Sequence, residues 1–136
     1  MDDFRYLVSV VIPVYNVEKY LDLCMQSLLK QTLEFNKIQV LLVNDGSTDS
    51  SEEICKSYAE KYENVFLYTK VNEGASQARN FALDRAEGKY IFYLDSDDTV
   101  KPETIKSVCS FFDSVYDQVD LVTYKIIQYY NEKPTI

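Results

Sequence analysis

Three carboxylates are crowded at the end of one apolar run in this sequence. The run, residues 90–94, is followed at once by Asp95, Ser96, Asp97 and Asp98. Adjacent carboxylates repel each other unless a cation joins them, so packing alone explains such a cluster poorly. Taken alone, the tetrapeptide could instead be an acidic turn or a helix N-cap. The cluster predicts a metal site at a strand end, with Asp97 as the first choice of direct ligand.

The metal would have to be held by oxygen atoms. The 136 residues contain no histidine, and the three cysteines lack metal-ligand spacing. Carboxylate oxygens suit Mg²⁺ or Mn²⁺. An ion held by two carboxylates, with water in its other positions, can bridge a diphosphate and neutralise the oxygens that later depart. We therefore assign Asp97 and Asp95 to the metal, with a ribose contact as the other role for Asp95, and place Asp98 behind them.

Three further side chains could complete a nucleotide site. Arg79 carries a guanidinium whose fork matches two phosphate oxygens at once. Asp45 could accept a hydrogen bond from a ring N–H of a base, and Tyr15 could stack on that base. The alternatives are an ion pair with Asp84 or Glu87 for Arg79, an Asx turn for Asp45 and a partly buried core position for Tyr15.

Strand and helix patterns alternate along almost the whole chain and would position these side chains. Apolar runs predict strands at 7–12, 38–43, 65–68, 90–94 and 120–127, and helical spacing is present between them. This alternation predicts an α/β fold with a Rossmann-like, doubly wound, mainly parallel sheet and helices on both faces. Ligands bind such sheets at the carboxyl ends of the strands. Residues 13–16, 44–46 and 95–97 are therefore expected to converge at one edge.

Local signals predict where several of these elements begin or end. Pro13 is expected to end the first strand, and Asn16 to cap the first helix. Ser50 and Glu53 match a capping box for the second helix. Four alanines, at positions 75, 78, 82 and 86, predict a small inward face on the third helix, and Gly88 is expected to end that helix.

Composition limits the classes of function. Twenty-two acidic and 14 basic residues give a net charge of −8, which disfavours nucleic acid or anionic lipid as a general partner. No apolar run approaches the roughly 20 residues of a membrane span, and the acidic start Met1-Asp2-Asp3 lacks a signal-peptide n-region, so a cytoplasmic location is expected.

The three cysteines lie in apolar helical patterns and are expected to be reduced core residues. Neither G-x-G-x-x-G after the first strand nor G-x-x-x-x-G-K-S/T occurs, which disfavours dinucleotide binding and P-loop hydrolysis.

Four motifs in a fixed order carry a resemblance to a known family. They are VVIPVYN at 10–16 with Glu18, VNDGSTD at 43–49, NEG at 72–74 with ARN at 78–80, and DSDD at 95–98. Together these motifs strongly resemble the family 2 glycosyltransferases, which have the GT-A fold. The resemblance implies transfer of a sugar from a nucleotide-diphosphate donor to an acceptor, usually with inversion and with Mn or Mg at the D-x-D element.

The resemblance also implies roles for individual residues. It places Pro13, Tyr15 and Asp45 around the base, Glu18 near the same pocket, Arg79 near the diphosphate, and Asp95 and Asp97 on ribose and metal. The implied donor is a UDP-sugar. The implied acceptor is a saccharide or a glycoconjugate, as in the synthesis of a bacterial surface polysaccharide. In the family the acceptor-binding half and the catalytic base lie beyond the matched region. Residues 1–136 are therefore expected to form a single domain, the donor-binding half of a truncated GT-A fold. The catalytic base is unassigned, and the missing parts could attach the protein to the inner face of the membrane.

Two other functions stay open at this point. A nucleotidyltransferase also uses carboxylates and metal on an α/β sheet, but usually has a Gly-rich basic loop after the first strand, which is absent. A receiver-like signalling module binds Mg beside a phosphorylatable aspartate and needs a lysine near the end of the last strand. Asp45 and Lys125 could fill those two roles. That assignment leaves residues 13–16 and Arg79 unexplained.

Overall fold

A four-stranded parallel sheet forms the centre of the protein. The computed structural model describes residues 4–115, 128–130 and 133–135. The strands of the sheet are β1 (Tyr6–Val14), β2 (Ile38–Asp45), β3 (Val65–Lys70) and β4 (Gly88–Tyr93). Their order is β3-β2-β1-β4, and each neighbouring pair runs parallel. The strand predicted at 120–127 lies outside the described residues.

Helices follow the strands in alternation. They are α1 (Leu21–Leu29), α2 (Ser51–Lys61), α3 (Ala75–Leu83) and α4 (Thr104–Ser114), and a short 3-10 turn, Phe35–Lys37, precedes β2. A separate two-stranded antiparallel hairpin is formed by β5 (Gln128–Tyr130) and β6 (Lys133–Thr135). None of the helices in the described part of the chain is both long and apolar enough to cross a membrane.

The sheet is covered on both faces, as predicted. Side chains alternate across a strand, so Val10 and Ile12 of β1 enter one core, while Val11 enters the other. The larger core includes buried residues of α1, α2 and α4. The smaller core packs Ala78 and Ala82 of α3 against the sheet. Of the four alanines predicted to face inward, these two are buried, whereas Ala75 is exposed and Ala86 is half-buried.

The strand order reverses at β1, and this reversal opens a crevice. The chain moves outward from β1 to β2 and β3, then returns to the other side of β1 as β4. Pairing between β1 and β4 ends at Val11 and Tyr93, while pairing between β1 and β2 continues to Val14 and Asn44. The loops after β1, β2 and β4 therefore share the carboxyl edge of the sheet, where ligands bind in this type of fold.

Pro13 does not end the first strand. It pairs with Val43 in register, and β1 continues to Val14. Leu94 N donates to Val11 O at 3.0 Å, so the backbone groups of Val11 face β4. The backbone groups of Pro13, two residues later, face the same side as those of Val11, but the pairing of β1 with β4 has already ended at Val11. The missing N–H of proline therefore costs the sheet no ladder hydrogen bond.

Two predicted helix caps are also wrong. Helix α1 begins at Leu21, and Asn16 has a left-handed φ of 51° instead of capping the helix. Its Oδ1 accepts from the backbone N–H of Thr48 at 2.8 Å, so its side chain joins two loops. Ser50 makes no side-chain cap bond, so the capping box with Glu53 does not form. Asp49 Oδ1 instead accepts from Ser51 N at 2.9 Å.

Gly88 begins β4 instead of ending α3, which stops at Leu83. Its backbone N–H donates to Ser9 Oγ at 2.8 Å. A Cβ at this position would lie 2.4 Å from the backbone N of Ser9. The glycine is therefore required by the close approach of β4 to β1.

We expect Gly88→Ala to destabilise the fold. The added Cβ meets the backbone of Ser9, which a side-chain rotation cannot relieve, and overpacking of this kind costs about 2 kcal/mol in the free energy of unfolding. Urea denaturation followed by circular dichroism measures this difference. Glu87→Ala, at an exposed neighbouring position, is the control and should change the free energy by less than about 0.5 kcal/mol. A Gly88→Ala protein as stable as the wild type would contradict the close approach.

The three cysteines are free and buried, as predicted. Burial raises the pKa of the Cys24 thiol, and likewise that of Cys55, to about 12. A thiol with so high a pKa is a poor nucleophile and a poor metal ligand at neutral pH.

Candidate functional site

A cleft of about 300 Å³ opens at the carboxyl edge of the sheet. Its lining comes from the ends of β1, β2 and β4 and from the first residue of α3. Among the lining residues are Pro13, Tyr15, Asp45, Ala75, Asp95 and Asp97. The three segments expected to converge do meet here, and the volume suits part of a small ligand.

The acidic cluster lies on one side of this cleft. Each of Asp95, Asp97 and Asp98 can place one carboxylate oxygen within 4.8 Å of the others. The chain forms a turn here, since Asp98 N donates to Asp95 O at 3.0 Å. Helix α4 does not begin until Thr104, so the cluster is not a helix N-cap.

The geometry and the chemistry of this cluster fit a divalent cation. All three carboxylates are exposed to incoming ions, while Ser96 between them is buried. Partial burial, together with the charges of Asp97 and Asp95, raises the pKa of Asp98 above its ordinary value. A cation would relieve this repulsion, and hard carboxylate oxygens are the ligands that Mg²⁺ and Mn²⁺ prefer. Asp97 and Asp95 both line the cleft, whereas Asp98 does not.

Arg79 lies beside the acidic cluster. Its Nη2 is 3.1 Å from Asp95 Oδ1, and both side chains are partly exposed. The predicted alternative, an ion pair with Asp84 or Glu87, is not formed, and Glu87 pairs instead with Arg5 at 3.5 Å. A guanidinium at this position can bind an anion that approaches the carboxylates.

Asp45 is buried in the opposite wall, at the end of β2. It is only 3% exposed, and its two carboxylate oxygens accept from backbone amides of the β3–α3 loop. Oδ1 accepts from Glu73 N at 2.9 Å, and Oδ2 accepts from Gly74 N at 2.8 Å. The Asx-turn alternative is wrong for Asp45, because its carboxylate accepts from the β3–α3 loop, and it is Asn44 whose Oδ1 accepts from Ser47 N in the loop after β2, at 3.2 Å.

Lys70 completes the wall around Asp45, and sequence reasoning did not select it. Its Nζ lies 3.5 Å from Asp45 Oδ1, 2.7 Å from Glu73 Oε1 and 3.1 Å from the carbonyl oxygen of Val71. The hydrogen bond to Glu73, with the charges of Glu73 and Asp45, raises the pKa of Lys70 above its ordinary value. Lys70 and Asp45 are register partners on β3 and β2, and this pairing cannot be read from either strand alone.

Tyr15 forms the wall that follows β1. Its side chain is half-exposed and lines the cleft, together with the half-buried Pro13. The alternative of a core aromatic is therefore wrong. An exposed ring beside a cleft is available for stacking on a flat ligand.

Glu18 contributes to a clasp between two loops. We define the clasp as the contacts of residues 16–18 with residues 47–51. Glu18 Oε2 accepts from Ser50 N at 2.9 Å, and Glu18 N donates to Asp49 Oδ2 at 3.2 Å. Val17 N donates to Ser51 Oγ at 2.9 Å. The clasp fixes the loop after Tyr15 against the loop after Asp45, and the contact of Glu18 with a nucleotide stays a prediction.

Three comparisons with known proteins relate this chain to enzymes of sugar transfer. A model of the family described as Glycosyl transferase family 2 matches residues 9–136. The minor teichoic acid biosynthesis protein GgaB of Bacillus subtilis (strain 168) is 48% identical over 124 residues, which are 90% of this chain and 14% of GgaB. A crystal structure of Staphylococcus aureus TarS in complex with UDP-GlcNAc matches with a TM-score of 0.75 and 36% identity, covering 80% of this chain and 32% of that one.

A further solved structure contains both a nucleotide sugar and a metal. The mannosyltransferase PcManGT from Pyrobaculum calidifontis, in complex with GDP-Man and Mn²⁺, matches with a TM-score of 0.60 and 25% identity. The match covers 71% of this chain and 29% of that one. The chain thus spans about a third or less of the length of these three proteins. The matched family model and the identity to GgaB place the chain among the family 2 glycosyltransferases, and it belongs to that family.

Proposed function

We propose that this chain is the donor-binding half of an inverting glycosyltransferase that uses a nucleotide-diphosphate sugar. One observation carries the proposal: Asp95 and Asp97 line the same cleft as the buried Asp45 and Tyr15, and Arg79 pairs with Asp95. Asp45 follows β2 and the cluster follows β4, on either side of β1. Strands two positions apart in a sheet are about 10 Å apart, comparable to the span from a nucleobase to its diphosphate.

The two walls have complementary chemistry for such a donor. Tyr15 and Pro13 offer a flat surface for the base, and Asp45 offers a carboxylate oxygen to a ring N–H. Asp97 and Asp95 would hold Mn²⁺ or Mg²⁺, which when bound neutralises charge on the diphosphate. Asp95 is also suited to a ribose hydroxyl.

The residues of this chain act on the leaving group of the reaction, which is the nucleoside diphosphate of the donor. The Arg79 guanidinium now pairs with Asp95, and diphosphate oxygens would offer it a second, bidentate partner. An acceptor hydroxyl attacks the anomeric carbon from the face opposite the diphosphate, and this inverts the configuration. Stabilising the charge that develops on the departing diphosphate lowers the barrier to that step. No base for the acceptor is assigned among the described residues.

The known relatives favour a UDP-sugar as donor and a cell-surface product. TarS was solved with UDP-GlcNAc, PcManGT with GDP-Man and Mn²⁺, and GgaB is named for minor teichoic acid biosynthesis. We propose a UDP-sugar as donor, a saccharide or glycoconjugate as acceptor, and a cytoplasmic site of action at the inner face of the membrane.

The receiver-like alternative fits the geometry poorly. Phosphorylation needs room for a phosphoryl group on the aspartate, but Asp45 is buried, and both of its oxygens accept from backbone amides. The nucleotidyltransferase alternative gains no support either, since the loop after β1 is held by the clasp and contains no glycine.

Isothermal titration calorimetry with UDP tests the proposal. We expect UDP to bind in the presence of Mn²⁺, and its affinity to fall at least about tenfold when the metal is removed with EDTA, because Mn²⁺ offsets repulsion between the diphosphate and the carboxylates. Uridine, which has no phosphate groups, is the control. It should bind weakly, and its affinity should not depend on Mn²⁺. If the folded protein binds neither UDP nor GDP with Mn²⁺ present, the proposed function is wrong.

A further inference from the structure

The carboxylate of Asp45 has few acceptor positions left for a ligand. An ionised carboxylate offers about four lone-pair positions, two on each oxygen. Oδ1 already accepts from Glu73 N at 2.9 Å and faces Lys70 Nζ at 3.5 Å. Among the residues that the structure describes, Oδ2 accepts only from Gly74 N, at 2.8 Å. One position therefore remains, and it is on Oδ2.

Lys70 is held firmly in the place where it blocks Oδ1. The side chain is 12% exposed, and its three N–H donors match three acceptors: Asp45 Oδ1, Glu73 Oε1 and the carbonyl oxygen of Val71. A second ligand donor could reach Oδ1 only by moving this ammonium away, against the contacts with Glu73 and Val71 that hold it there.

Nucleobases differ in the number of donors that they present to such a carboxylate. Uracil offers one ring N–H, flanked by two carbonyl acceptors. Guanine offers a ring N–H and an adjacent amino group, which together bind both oxygens of a free carboxylate. A carboxylate with one open position satisfies the single ring N–H of uracil, but it leaves the guanine amino group without its partner, and such an unpaired donor is costly when buried.

We infer that Lys70 is a specificity-determining residue, which favours uracil over guanine by occupying Oδ1 of Asp45. The inference rests on the proposed nucleotide site and adds a residue that the sequence motifs do not contain. Lys70 would act on the base through Asp45, so we expect its effect to show in the selectivity between bases. The diphosphate is bound on the other side of β1 and does not depend on it.

The test compares the affinities for UDP and GDP by calorimetry, with Mn²⁺ present, in wild type and in Lys70→Met. We expect wild type to prefer UDP. The UDP-to-GDP affinity ratio should fall about tenfold in Lys70→Met, because the second carboxylate oxygen opens to guanine. Lys70→Gln, which keeps a polar group for Glu73, is measured beside it in case the methionine variant does not fold. Lys56→Met is the matched control: it removes an exposed lysine that pairs with Glu52 at 3.3 Å, and it should leave the ratio unchanged.

The outcomes separate this inference from the proposed function. A ratio that stays at the wild-type value in a folded Lys70 variant overturns the inference, even if both affinities fall together, because Lys70 would then be merely structural. A wild type that binds GDP as tightly as UDP overturns it too, while leaving the nucleotide site in place. A wild type that binds neither nucleotide overturns both.

Discussion

Asp97→Asn is expected to weaken the Mn²⁺-dependent binding of UDP at least about 100-fold. Asp97 lines the cleft and belongs to the three-carboxylate cluster, whose oxygens can come within 4.8 Å of each other. The amide keeps the size of the side chain but removes the charge that attracts the ion, and the change should therefore act on metal affinity more than on folding. Calorimetric titration of UDP at several Mn²⁺ concentrations measures the loss.

The control for this variant is Asp84→Asn. Asp84 is an exposed aspartate at the end of α3, outside the cleft, and its replacement should leave both UDP binding and the Mn²⁺ requirement at the wild-type level. The assignment of the metal to this cluster is wrong if Asp97→Asn retains wild-type affinity together with the wild-type dependence on Mn²⁺.

Asp45→Ala is expected to damage both the fold and the base pocket. The carboxylate is buried, and its removal leaves Lys70, already largely buried, without one partner and two loop amides without acceptors. Breaking a buried ion pair from one side costs about 3 kcal/mol or more in the free energy of unfolding. Since the same carboxylate is the proposed acceptor for the ring N–H, UDP binding should be lost as well.

Asp45→Asn separates these two effects. The amide oxygen can still accept from one loop N–H, so part of the stability should return, whereas an amide N–H facing the ring N–H of uracil should keep UDP affinity low. Urea denaturation and calorimetry on the same samples measure both quantities. Asp45→Asn with wild-type affinity for UDP would contradict the role of Asp45 in base recognition.

The parallel sheet could be predicted because its signals are long and repeated. The β-branched run of β1 and the apolar run of β2 are buried on both faces, as is usual for central parallel strands, and a helix follows each of them. The convergence of Tyr15, Asp45 and Asp95 at one edge then follows from topology and needs no side-chain detail.

Single-residue signals at the element ends were less informative. An asparagine before a helix suits an N-cap and a left-handed turn equally well, and at Asn16 the choice depends on its bonds to Thr48 and Asp49 in another loop. Gly88 follows an end-of-helix pattern, yet its position is set by the close approach of Ser9. Lys70 was missed for a similar reason, since its partner Asp45 lies across the sheet and far away in sequence.

A crystal of the protein with UDP and Mn²⁺, measured for anomalous scattering from manganese, would show whether the metal and the base lie on opposite sides of one cleft. We expect an anomalous peak at about 2.2 Å from a carboxylate oxygen of Asp97, shared with the diphosphate, and a uracil ring whose N–H lies within hydrogen-bond distance of Asp45 Oδ2. A manganese peak away from Asp95 and Asp97, or a base bound outside the cleft between Tyr15 and Asp45, would contradict this expectation.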